Sequence, residues 1–70
     1  MTLKELRKNS KLTQGEVAQK IGVTIRFISA LEHGKRNPSD KTKIKLAEIY
    51  NVSLKEIFLA CKEQKEKSDK

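Results

Sequence analysis

The 70-residue sequence holds one cysteine, one histidine, one proline, three glycines and no tryptophan, and aromatic residues make up 4% of it. A single thiol, Cys61, excludes an internal disulfide framework and fits a reducing compartment, so a cytoplasmic location is expected. His33 is the one other soft ligand, so neither a structural zinc nor another metal or cofactor is expected. The scarcity of rings excludes a stacking platform for single-stranded nucleic acid. No run approaches the roughly 18 apolar residues of a membrane span. The opening Met1-Thr2-Leu3-Lys4-Glu5 has no apolar stretch of the secretory kind. Neither a membrane partner nor a small-molecule ligand is expected. Nothing resembles a Gly-rich phosphate loop, and no nucleophile and base stand at a recognisable spacing, which argues against an enzyme. No segment alternates apolar and polar residues long enough to propose a strand.

What the sequence does contain is charge. Charged residues make up 36%, with 16 Lys and Arg against 9 Asp and Glu, a net charge of +7. Apolar residues are also 36%, and a chain this short buries too little of them to be more than marginally stable unaided. With disulfides and zinc set aside, close helix packing or self-association remains. A basic excess points to a polyanion, most often nucleic acid, unless it is only a solvated surface. Its location is therefore informative. Residues 1–11 carry +3, 24–37 carry +2, 38–50 carry +1 and 62–70 carry +1, while 12–23 and 51–61 are neutral. The excess sits on the first helix, around the third and at the start of the fourth, rather than in the tail.

Capping signals divide the chain into five helices. Thr2-x-x-Glu5, Thr13-x-x-Glu16 and Ser53-x-x-Glu56 have the capping-box form, in which the hydroxyl accepts from an orphan N–H and the Glu reaches back to the cap. Thr24 and Ser39 are further caps. Gly22 and Gly34 stand where a helix end wants a left-handed residue, Asn51 closes the fourth segment, and Pro38 precedes a cap and breaks nothing. The expected helices span about 2–10, 14–21, 25–33, 40–50 and 54–62. Their apolar faces are Leu3 and Leu6; Val17, Ala18 and Ile21; Ile28 and Leu31; Leu46, Ala47 and Tyr50; and Leu54, Ile57, Phe58 and Cys61. Leu12, Val23 and Val52, in the connections, plug the ends of the core. Residues 62–70 contain no apolar residue and read as a frayed helix end or a flexible charged tail. The expected organisation is one compact all-α domain over 1–61, followed by that tail.

The second and third helices are joined by Gly22-Val23-Thr24. A helix of about eight residues, a glycine-bearing turn and a second helix is the helix-turn-helix layout, whose second helix enters the DNA major groove. Residues 12–34, LTQGEVAQKIGVTIRFISALEHG, include Thr13-Gln14, Glu16-Val17-Ala18, Ile21-Gly22-Val23-Thr24, Ile28-Ser29, Leu31-Glu32 and Gly34. In this order they resemble the phage repressor and Cro family of helix-turn-helix domains, often called the XRE family. The pattern continues through Asn37-Pro38-Ser39, Leu46-Ala47 and Asn51-Val52-Ser53-Leu54 to Phe58, so the resemblance covers about residues 3–58. It implies a lambda-repressor-like five-helix fold. It also implies sequence-specific binding to double-stranded DNA by a bacterial or phage transcription regulator, repressor-like and acting as a homodimer on a palindromic operator. One departure is Lys43, where the family often carries an apolar residue; Ile44 and Ile49 lie nearby.

Carried onto this sequence, the resemblance implies that Gln14 meets a phosphate, that Ile25, Arg26 and Ala30 face base edges, and that Arg7 pairs with Glu32 to link the first and third helices. Each role has independent physical support. Gln14 opens a helix, where unpaired N–H groups and the dipole favour a phosphate. Arg26 suits guanine O6 and N7, a contact worth about 1–3 kcal/mol of discrimination, and Ile25 and Ala30 suit a thymine methyl. Arg7, Thr24, Phe27, Lys35 and Arg36 are expected along the DNA backbone, where they set salt dependence rather than sequence. Ile25 has a second reading as core, three residues before Ile28, and Phe27 reads as a partly exposed flank. Lys41, Lys43 and Lys45 read as a solvated face or as further DNA contacts. His33 reads as a favourable group at a helix C-terminus, and Cys61 as a packed small residue. Phe58, Leu59 and Cys61 form a candidate dimer patch, against ordinary scattered exposure. The alternative function is a protein-interaction module, such as an antitoxin or accessory factor, with DNA binding secondary.

Overall fold

Hydroxyl side chains start the helices where the sequence places them. In the computed structural model, which describes residues 1–68, Thr2 and Thr13 form complete capping boxes with Glu5 and Glu16. The Thr24 and Ser39 hydroxyls accept from the N–H groups of Phe27 and Thr42, and Ser53 Oγ accepts from Glu56 N–H at 3.3 Å. These caps open α1 (Leu3–Asn9), α2 (Gln14–Ile21), α3 (Ile25–Glu32), α4 (Asp40–Tyr50) and α5 (Leu54–Ser68). The fold is the expected all-α five-helix domain, with α2 and α3 packed as a helix-turn-helix pair.

Left-handed residues stop the helices. Gly22 ends α2 at φ 81°, and Asn51 ends α4 at φ 55°. Gly34, one residue past the α3 cap His33, has φ 75°. Lys11 performs the same turn after α1 at φ 58°, a position the sequence did not mark because no glycine or asparagine stands there. The fifth helix outruns its expected end near residue 62 and continues to Ser68. Lys, Glu and Gln are good helix formers, and no glycine or proline interrupts them. The tail reading of 62–70 otherwise falls largely on side chains beyond Glu63 and on residues 69–70, outside the described residues.

The core collects one stripe from each helix: Leu3 and Leu6; Val17, Ala18 and Ile21; Ile28 and Leu31; Leu46, Ala47 and Tyr50; Ile57 and Ala60. Leu12, Val23 and Val52 plug its ends as expected, together with Phe27, Ile49 and Cys61. The stripe of α5 needs correcting. Of Leu54, Ile57, Phe58 and Cys61, only Ile57 is buried, and it is joined by Ala60, whose small side chain gave a weak signal. Leu54 and Phe58 fall at the edge of the face, beside α4. There Lys43 explains its departure from the family pattern, because its Nζ lies 4.2 Å from the centre of the Phe58 ring. The lysine covers the ring as a cation while its stem packs against apolar surface.

Candidate nucleic-acid interface

The turn between α2 and α3 is built to hold the two helices at a fixed angle. The N–H groups of Gly22 and Val23 both donate to the Ala18 carbonyl, at 2.8 and 2.9 Å. This closes α2 and sends the chain away from its axis. Val23 tucks against the core, and Thr24 Oγ1 accepts from Phe27 N–H at 3.1 Å to begin α3. The Thr24 hydroxyl hydrogen is left able to donate outward, as a backbone contact requires. Ile28 and Leu31 anchor the inner face of α3, each 1% exposed. The opposite face is therefore turned outward.

Ile25 stands on that outer side and is 55% exposed, so its reading as core does not hold. As the first residue of α3 it lies over the start of α2 instead. A Cβ placed on Gly15 would sit 3.5 Å from Ile25 Cδ1. Arg26 is exposed, and Ala30 is half-buried one turn on. Between them the surface dips into a depression of about 280 Å³ lined by Arg26, Ser29, Ala30, His33 and Lys35. Ser29 and His33 were missed as members of this ridge. Residues 26, 29, 30 and 33 share a face at helical spacing, and that periodicity could have found them.

A buried ion pair fixes α3 against α1. Arg7 Nε–H donates to Glu32 Oε2 at 2.7 Å, and Nη2–H donates to Oε1 at 3.3 Å. The third side of the fork, Nη1–H, donates to the Leu12 carbonyl at 2.9 Å. The side chains are 11% and 4% exposed. The hydrogen bond to Glu32 is the main reason the Arg7 guanidinium holds its proton above the ordinary arginine range, against the opposing effect of burial. Gln14 also faces this pair, its amide N–H donating to Glu32 Oε1 at 3.0 Å. Arg7 and Gln14 thus use their side chains mainly to hold the scaffold together.

What remains at the head of α2 is backbone. The Thr13–Glu16 capping box occupies the N–H groups of residues 13 and 16, and those of Gln14 and Gly15 have no partner within the helix. They add their dipole end to the surface beside Ile25. On the other flank Phe27 is half-buried, with the Arg36 guanidinium 5.5 Å from its ring centre. Lys35 and Arg36 are exposed on the loop that follows α3. Of the sequence-expected residues, Arg26, Ala30 and Lys35 line one depression, Ile25 lies against the start of α2, Arg36 lies over Phe27, and Thr24 is exposed at the cap of α3. Arg7 and the Gln14 side chain bond to Glu32 instead.

The dimer candidates are not joined in one patch. Phe58 lines a groove of about 260 Å³ between α4 and α5 with Asp40, Lys43, Ile44 and Leu54. Leu59 lines a different depression with Met1, Leu6, Glu56 and Glu63. Adjacent helix positions differ in direction by about 100°, so 58 and 59 face apart. Cys61 is half-buried, and burial pushes its thiol pKa up despite nearby Lys43. Among the described residues no group of three metal-ligating side chains converges, and no helix is long and apolar enough to cross a membrane.

Two packed helices joined by a tight turn, the second with an outward polar ridge, define a helix-turn-helix domain. The family model described as helix-turn-helix matches residues 3–57. An HTH-type transcriptional regulator of Archaeoglobus fulgidus is 39% identical over 62 residues, which are 89% of this chain and 87% of that protein. A second, from Methanocaldococcus jannaschii, is 40% identical over 57 residues, 81% and 86% of the two chains. The regulator ImmR of Bacillus subtilis is 39% identical over 51 residues, 73% of this chain but 40% of its own length. No solved structure matches the chain significantly. The chain belongs to the helix-turn-helix family that includes these HTH-type transcriptional regulators.

Proposed function

We propose that the protein is a sequence-specific, double-stranded DNA-binding transcriptional regulator of the phage repressor and Cro kind. It lays α3 in the major groove and acts as a homodimer on a palindromic operator. The observation that carries this reading is the division of α3. Its inner face is held by Ile28, Leu31 and the Arg7–Glu32 pair, and its outer face offers Ile25, Arg26 and Ala30, with Ile25 against the N-terminus of α2. Arg26 reads guanine and Ile25 and Ala30 meet a thymine methyl. Thr24, Phe27, Lys35, Arg36 and the N-terminus of α2 follow the backbone, with a phosphate contact from Arg7 secondary to its pair with Glu32. For the second copy, the groove with exposed Ile44, Leu54 and Phe58 offers apolar surface outside the core. A two-fold pair would set its recognition helices about 34 Å apart, one turn of DNA.

The test is a duplex-binding titration read for stoichiometry and salt dependence. Two chains are expected per palindromic duplex, with affinity falling steeply as salt rises. Phe58→Lys is expected to remove the second copy while leaving the far-UV spectrum unchanged. A folded wild-type chain with no affinity for duplex DNA at low salt would refute the reading.

A further inference from the structure

The C-cap of α3 is the chain's one histidine, and its ring is hydrogen-bonded to the last turn of the helix. His33 Nδ1 lies 2.8 Å from the Ser29 carbonyl oxygen and 3.3 Å from Ser29 Oγ. A carbonyl only accepts, so Nδ1 carries the hydrogen and donates it. In the neutral ring this leaves Nε2 as a bare acceptor. The same ring lines the 280 Å³ depression with Arg26, Ser29, Ala30 and Lys35. Its charged neighbours there are both cations, Arg26 from the first turn of α3 and Lys35 from the loop behind it. Glu32, next in the chain, is turned inward onto Arg7 and Gln14. A concave surface flanked by two cations favours an anion.

We propose that His33 is a protonation-dependent DNA contact: its Nε2 meets a backbone phosphate oxygen of the duplex in this depression, as imidazolium, with Arg26 and Lys35 beside it. The proposal rests on the DNA-binding reading above. A phosphate suits the position better than a base edge, because the N-terminal residues of a recognition helix reach the bases and His33 stands at the other end. Neutral Nε2 and a phosphate oxygen are two acceptors and repel. Protonated Nε2–H donates a charge-assisted hydrogen bond. The Nδ1 anchor is a donor in both forms, so protonation changes the outer nitrogen without turning the ring. Binding therefore takes up a proton, and the contact is lost as pH rises.

The effect can be isolated because little else titrates in the same window. Histidine is the side chain whose charge changes between about pH 5 and pH 8. The Cys61 thiol is pushed up by burial, and the Met1 amine is raised by its hydrogen bond with Glu63. The experiment measures affinity of the full chain for a labelled duplex of about two helical turns and unselected sequence. Low salt is held constant between about pH 5.5 and pH 8, and the fold is checked by circular dichroism at each end. Wild type is expected to bind about tenfold more tightly at the acid end. His33→Gln is expected to give a flat profile, and His33→Lys a flat profile at the tighter level. Equal pH dependence in wild type and His33→Gln, or a flat wild-type profile with binding intact, overturns the histidine contact alone. Absence of duplex binding at every pH overturns the DNA-binding reading, and this inference with it.

Discussion

Glu32 accepts from Arg7 twice and from Gln14 once, almost out of reach of water. Truncating one member of such a pair leaves the other charge buried and uncompensated. Glu32→Ala is therefore expected to cost roughly 3–5 kcal/mol, read by urea unfolding, which is most of the stability of a domain this small. A loss under about 1 kcal/mol would place the pair among surface ion pairs. Tyr50 supplies a pH test. Burial is the first cause raising its phenol pKa well above the ordinary value, with Glu32 adding to the effect and Arg7 opposing it. The unfolded chain ionises near pH 10 while the folded one stays protonated, so the folded state binds more protons there. Stability is then expected to fall as pH rises above about 10, and Tyr50→Phe to flatten that limb in thermal melts compared across pH. At this scale the sequence was legible for Arg7 and Glu32, whose expected pair forms, and for the exposure of Arg26 on α3. It was not legible for Gln14, whose amide has a carboxylate and a phosphate as rival partners. Which one it takes depends on where α3 brings Glu32.

The helices themselves were legible because their ends are chemically marked, by hydroxyl caps at the start and by Gly22, Gly34 and Asn51 at the stop. Lys11 shows what such marks cannot reveal, since a tertiary turn imposed a left-handed conformation on an ordinary residue. Gly22 and Lys11 make a paired test by thermal or urea unfolding. Nothing lies within 4 Å of a Cβ on Gly22, so Gly22→Ala meets backbone strain alone at φ 81°. It is expected to destabilise by about 1 kcal/mol or more. Lys11→Gly relieves a strain of roughly 1–2 kcal/mol at the cost of about 0.5–1 kcal/mol in chain entropy, and is expected to stabilise modestly. Opposite signs in both variants would contradict the assigned backbone. The rotation of α5 was also beyond sequence reading. An apolar stripe fixes which side of a helix is sticky, but Lys43 over Phe58 and the small Ala60 decide which edge of the stripe enters the core.

For the whole molecule, the thin core and the basic surface belong together. Among the described residues twelve buried apolar side chains hold five helices, and the ion pair beneath α3 lets that helix turn a polar ridge outward. Positive charge lies where α1, the α3 loop and the start of α4 carry it, and an apolar groove outside the core lies between α4 and α5. In the proposed function α3 reads base edges through Arg26. The most direct measurement selects duplexes from a random pool with wild type and with Arg26→Ala, and compares the recovered sequences and their affinities. Wild type is expected to recover an inverted repeat with half-sites about 34 Å apart. Arg26→Ala is expected to lose a guanine preference at one position of each half-site, at a cost of about 1–3 kcal/mol, while keeping unselective binding. Recovery of the same sequence at the same affinity by both proteins would contradict the claim.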